Sequence, residues 1–80
     1  MRYGTETKLS TSEVLTKVEA YFGEGGLGLQ VTSRDECCIS LSGGGGQVTV
    51  RVTAGDKTSV DVETQEWDYQ VKSFMADGLK

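Results

Sequence analysis

Hydrophobic and polar residues alternate strictly through 47–53 (QVTVRVT) and 58–64 (TSVDVET), and the same period of two runs through 27–33 (LGLQVTS) and 37–42 (CCISLS). Alternation turns successive side chains to opposite faces of a strand. Leu27, Leu29 and Val31, then Ile39 and Leu41, then Val48, Val50 and Val52, then Val60 and Val62 therefore fall on one side. Short links between these stretches predict an antiparallel meander with one dry and one wet face. Residues 2–9 (RYGTETKL) add a further strand, with Tyr3, Thr5, Thr7 and Leu9 on one face and charges on the other.

The period changes twice. Ser10-Thr11-Ser12-Glu13 is a capping box, and Leu9 with Val14 occupies the two positions of a hydrophobic staple. Val14, Leu15, Val18, Tyr21 and Phe22 follow as one apolar stripe of a helix that Gly23 stops. Near the end, 66–76 returns to helical spacing, with Trp67, Val71, Phe74 and Met75 inward, Glu66 and Asp68 in the first turn and Gly78 as the stop.

Between the second and third strands of the meander stands SGGGGQ, and pairing decides its role. With Leu41 facing Val48, Gly43 faces Gly46 and Gly44-Gly45 is a two-residue turn, whose positive φ angles glycine adopts without steric cost. A phosphate-binding glycine loop would open a helix instead of a strand. The elements read β-α-β-β-β-β-α. The expectation is one α+β domain over 1–80: a five-stranded antiparallel sheet of order 2-3-4-5-1 with both helices on one face, the first strand joining beside the fifth.

Composition narrows the chemistry. The chain has 80 residues, 8 Lys plus Arg against 12 Asp plus Glu, and no basic cluster, so neither nucleic acid nor an anionic membrane surface is an expected partner. Its start, MRYGTETKL, lacks an apolar stretch, which predicts a protein without a secretory signal, in the cytoplasm. Histidine is absent, and with it the commonest general base and metal ligand. Strand parity turns Cys37 toward the core and Cys38 toward the wet face, so the expectation for this adjacent pair is two free thiols. Most of the acids fall in turns or helix starts, none shows the spacing of a calcium loop, and no metal or cofactor is expected.

The element order, with EWDYQVKSFM closing over the sheet, resembles a cut-down helix-grip arrangement of the START and polyketide-cyclase-like kind. That resemblance implies an apolar ligand held between helices and sheet. About 22 core-directed side chains barely fill such an interior, and a cavity of roughly 300 Å³ would sacrifice much of it. GGGGQVTV followed by ETQEWDYQVKSFM is also similar to the shared pattern of short bacterial domains, which implies nothing about chemistry.

On the wet face, the inferred registers place Thr32, Cys38, Arg51 and Asp61 in one row and Gln30, Ser40, Thr49 and Glu63 in the next. Tyr69, off the helical stripe, is the expected exposed aromatic. Gln30, Thr32, Cys38, Arg51, Asp61 and Tyr69 are the candidate binding residues, and no catalytic set emerges. The first reading is therefore a non-catalytic protein-interaction or homo-oligomerising domain. A binder of a small apolar ligand is the alternative, and a thiol- or carboxylate-dependent enzyme the third. The first strand shields its edge with Arg2, Glu6 and Lys8, whereas 27–33 carries only Gly28, Gln30 and Thr32 outward, which predicts a homodimer through that strand.

Overall fold

The computed structural model describes residues 2–78. Five strands, β1 (Arg2–Thr7), β2 (Gln30–Arg34), β3 (Cys38–Gly43), β4 (Gly46–Thr53) and β5 (Thr58–Gln65), form one antiparallel sheet of order β1-β5-β4-β3-β2. Helix α1 (Thr11–Phe22) carries the chain from one edge of the sheet to the other. Helix α2 (Asp68–Ser73) widens into a π-helical turn, Phe74–Gly78. This is the α+β architecture and strand order that the two periods predict.

The capping box is present in full: the Glu13 N–H donates to Ser10 Oγ (3.2 Å) and the Ser10 N–H to Glu13 Oε1 (3.3 Å). Val14, Leu15, Val18 and Phe22 of the α1 stripe are buried, and Leu9 packs against the same core. They meet Leu29, Ile39, Leu41, the three β4 valines, Val60 and Val62, while Val71 and Phe74 of the last helix complete the cluster. Phe22 and Phe74, each at most 1% exposed, stand with ring centroids 5.5 Å apart, and Tyr21 packs on both at 4.9 and 5.2 Å. Aromatic rings thus fill the space between helices and sheet. Each such side chain contributes about 1.5–3 kcal/mol by leaving water.

The β3–β4 turn has the expected register, Leu41 opposite Val48 and Gly43 opposite Gly46, with Gly44 at φ 60° and Gly45 at φ 83°. It also has a second role that pairing alone does not reveal. Trp67, just before α2, donates from Nε1 to the Gly43 carbonyl (3.0 Å), and its ring lies so close to Gly44 that a Cβ there would come within 2.8 Å of Trp67 Cζ2. The turn is thereby the seat of the last helix. Glu66, at φ 73°, makes the sharp exit from β5 that brings Trp67 into this position.

Two elements differ from expectation: the last helix starts at Asp68 rather than Glu66, whose φ of 73° lies outside any helix, and the second strand starts late. The second strand begins at Gln30 instead of Leu27, because the preceding amides are bound elsewhere: the N–H of Leu27 donates to Tyr21 O (3.0 Å), of Gly28 to Gly23 O (2.8 Å) and of Leu29 to Phe22 O (2.8 Å). The end of α1 leaves carbonyls without helical partners, and this loop satisfies them. Leu29 is still buried against the core, but Leu27 is 39% exposed. Among the described residues, no helix is long and apolar enough to cross a membrane.

The turn supplies a test. Gly45→Ala meets no atom within 4 Å and carries only the cost of a positive φ, about 1–2 kcal/mol. Gly44→Ala adds the collision with the Trp67 ring and should cost at least twice as much. Equilibrium urea unfolding of the two single variants checks the order; equal effects would show that the ring does not rest on the turn.

Candidate functional site

β2 enters the sheet two residues out of the inferred register. Gln30 pairs with Ser42 and Val31 with Leu41; then the register shifts, so that Ser33 pairs with Ser40 and Arg34 with Ile39. The extra residue is Thr32, whose hydroxyl donates to the Ser40 carbonyl (3.1 Å). A bulge of this kind exchanges the two faces of the strand beyond it. Before the bulge Leu29 and Val31 share the helix side of the sheet with Leu41; after it, Arg34 does. Arg34 consequently reaches α1 and forms an ion pair with Glu19, both side chains remaining well exposed. At that exposure the pair contributes at most about 1 kcal/mol.

The wet-face row is therefore shorter than expected. Cys38 opposes Arg51, and Arg51 opposes Asp61, as inferred. Thr32 is not in that row, and Gln30 does not stand beside Ser40, because of the slip of β2. Asp61 instead pairs with Arg2 of β1 (3.5 Å), and the two line a small cleft with Thr49, Arg51 and Glu63. Two cations and two anions balance there. Tyr69 is 78% exposed on α2, away from these groups, as its position off the stripe predicts.

Two other features stand out. The first is the β2–β3 turn, Asp35-Glu36-Cys37-Cys38, where the sulfurs of Cys37 and Cys38 are joined in a disulfide between neighbouring residues. This corrects the expectation of two free thiols pointing to opposite faces. Parity failed because Cys37 lies in the turn, exposed, and β3 begins only at Cys38. Asp35 organises the turn: its Oδ1 accepts from the Cys37 N–H (3.1 Å) and lies 3.1 Å from Cys37 Sγ, while its own N–H donates to the Cys38 carbonyl (2.9 Å). The signal in the sequence was Asp two residues before Cys37, a pattern suited to such a side-chain-to-backbone bond.

The second feature is the outer edge of β2. The Val52 N–H donates to the Cys37 carbonyl (2.8 Å), so alternate residues Cys37, Ile39, Leu41 and Gly43 direct their backbone groups to β4. Cys38, Ser40 and Ser42 direct theirs to β2, as the Asp35–Cys38 bond illustrates. Gln30, opposite Ser42, thus spends its backbone groups on β3, whereas Val31 and Arg34 aim theirs outward. Beside this open edge runs a groove of about 690 Å³, open to solvent, between α1 and β2; Thr16, Ala20, Glu24, Gln30 and Val31 are among the residues that line it. Val31 projects into it at 41% exposure.

No family model matches the chain, and neither a curated protein nor a solved structure matches it.

The disulfide predicts that native protein resists a soluble alkylating reagent at both cysteines and gains two alkyl groups after reduction, with an intact mass before reduction lower by two hydrogens. Mass spectrometry checks this. Rapid labelling of Cys38 alone in unreduced protein would show free thiols instead.

Proposed function

We propose that this is a non-catalytic interaction domain that self-associates by adding the β2 strand of a second copy to its own, extending the sheet across a two-fold axis. The observation that carries this reading is the pair of outward-directed backbone positions at Val31 and Arg34, flanked by a groove with a half-exposed valine. The opposite edge supports it by contrast: β1 presents Arg2 and Glu6, with Lys8 just past its end, side chains that discourage strand addition.

The chemistry of the edge suits a copy of itself. Residues 27–33 are uncharged in a chain of net charge −4, and Arg34, the next residue, is basic. Antiparallel pairing about a two-fold axis would set this uncharged stretch against its own copy, without opposing acids. The groove beside Val31, lined by the exposed and small Thr16 and Ala20 of α1, leaves room above the joined edge for side chains of the second copy. Val31 and Leu27 would leave water together. The bulge at Thr32 limits the length of the ladder, so side-chain contacts in the groove must supply part of the interface.

Light scattering at tens to hundreds of micromolar should show a dimer whose fraction rises with concentration. Val31→Pro removes an outward N–H and spares the bonds to β3, so it should leave a folded monomer, by circular dichroism, at every concentration. A wild-type protein that stays monomeric throughout this range, or a dimer untouched by Val31→Pro in a folded chain, would end the proposal.

A further inference from the structure

The Asp35 carboxylate and the two cysteine sulfurs converge at the exposed end of the sheet, all three potential donor atoms lying within 4.8 Å of one another. We propose that reduction of the Cys37–Cys38 disulfide opens a site for one thiophilic divalent cation, of the zinc and cadmium class, held by the two thiolates and the Asp35 carboxylate.

The backbone prepares this arrangement independently of the sulfur–sulfur bond. Three hydrogen bonds hold the turn: Cys37 N–H to Asp35 Oδ1 at 3.1 Å, Asp35 N–H to the Cys38 carbonyl at 2.9 Å, and Val52 N–H to the Cys37 carbonyl at 2.8 Å. None of them involves a sulfur. With the disulfide opened, the side chains need only rotate to present both sulfurs and the carboxylate to one point. On a tetrahedral ion of this class, two thiolate sulfurs sit about 3.7 Å apart and a carboxylate oxygen slightly closer to each. The existing cluster is within small side-chain movements of that spacing.

The donor set selects the class of ion. Two thiolates and one carboxylate are soft enough to exclude magnesium and calcium, which take oxygen ligands, and they favour zinc or cadmium. Three protein donors leave one position for water. Access is direct, since Asp35 and Cys37 are exposed and Cys38 is half-buried. Arg51, opposite Cys38 in the sheet, places a positive charge beside a site that carries one net negative charge when loaded.

The chemistry balances in two steps. A dithiol reductant transfers two electrons and two protons to the disulfide, yielding two thiols and its own disulfide. The cation then displaces the two thiol protons to solvent, and two metal–sulfur bonds form. A disulfide oxidant reverses this: it accepts the two electrons and, with two protons from solvent, becomes a dithiol, while the protein disulfide re-forms and the ion is released, so binding is confined to the reduced protein.

Cadmium ion alone is the probe. Protein reduced with a phosphine, freed of reductant and titrated without oxygen, should take up one cadmium per chain, read from the thiolate-to-metal charge-transfer absorbance in the ultraviolet. Oxidised protein should show no such band. Asp35→Asn retains an oxygen to accept from the Cys37 N–H but loses the charge, and should weaken binding about tenfold. Joint Cys37→Ser and Cys38→Ser substitution should abolish the band. The proposal is overturned if reduced wild type binds no better than the double serine variant, if Asp35→Asn binds as tightly as wild type, or if one ion bridges two chains. Loss of the folded circular-dichroism spectrum on reduction would also overturn it, because the site depends on a turn that survives without the disulfide.

Discussion

The pairing of β3 with β4 across Gly44 and Gly45 is the constraint on which the other elements depend. Side chains in a sheet alternate, so a slip of one residue would turn Ile39 and Leu41 to solvent on one strand or the three β4 valines on the other. Two glycines at positive φ hold the register against that slip. From it follow the dry face that α1 covers, the alignment of β5 through Val50–Val62 and Val52–Val60, and the place of β1 beyond it. Trp67 ties the turn to α2, so the same four-residue stretch that sets the sheet also positions its closing helix.

Much of this was legible because local and long-range preferences agree. The capping box, the apolar stripe from Val14 to Phe22 and the alternation in β4 and β5 all point to the elements that form, and a two-residue glycine turn admits one good register. Legibility failed where a local pattern competed with an unmet hydrogen bond. The alternation of Leu27, Gly28 and Leu29 resembles a strand, but the exposed carbonyls at the end of α1 take their amides. Downstream, the bulge at Thr32 left no trace in the hydrophobic pattern, since Thr32, Ser33 and Arg34 are polar on both faces. The cysteine pair was misplaced for a related reason: parity assumes a strand, and Asp35 had already folded Cys37 into a turn. Of the candidate side chains, Cys38, Arg51 and Asp61 share their row as inferred, while Gln30 and Thr32 take other partners.

The two edges of the sheet show how much a few side chains and one extra residue alter what a strand can do. β1 combines outward charges with an Arg2–Asp61 pair to its neighbour. β2 is short, bulged and uncharged until Arg34, and its bulge turns that arginine back toward α1. Because the first half of β2 keeps its inward bonds to β3, its outward groups at Val31 are held in extended form and ready to pair. Little ordering is then required of the edge when a second strand arrives, which favours association of even a small interface.

The most direct test of this edge is amide hydrogen exchange, resolved residue by residue by nuclear magnetic resonance, in dilute and in concentrated protein. Gln30 and Val31 are neighbours in sequence but direct their backbone groups to opposite sides. The account predicts that the Gln30 amide is protected in both samples, while the Val31 amide exchanges rapidly when dilute and becomes protected as concentration rises. Protection of Val31 that does not change with concentration, or rapid exchange at Gln30 in the folded protein, would contradict it.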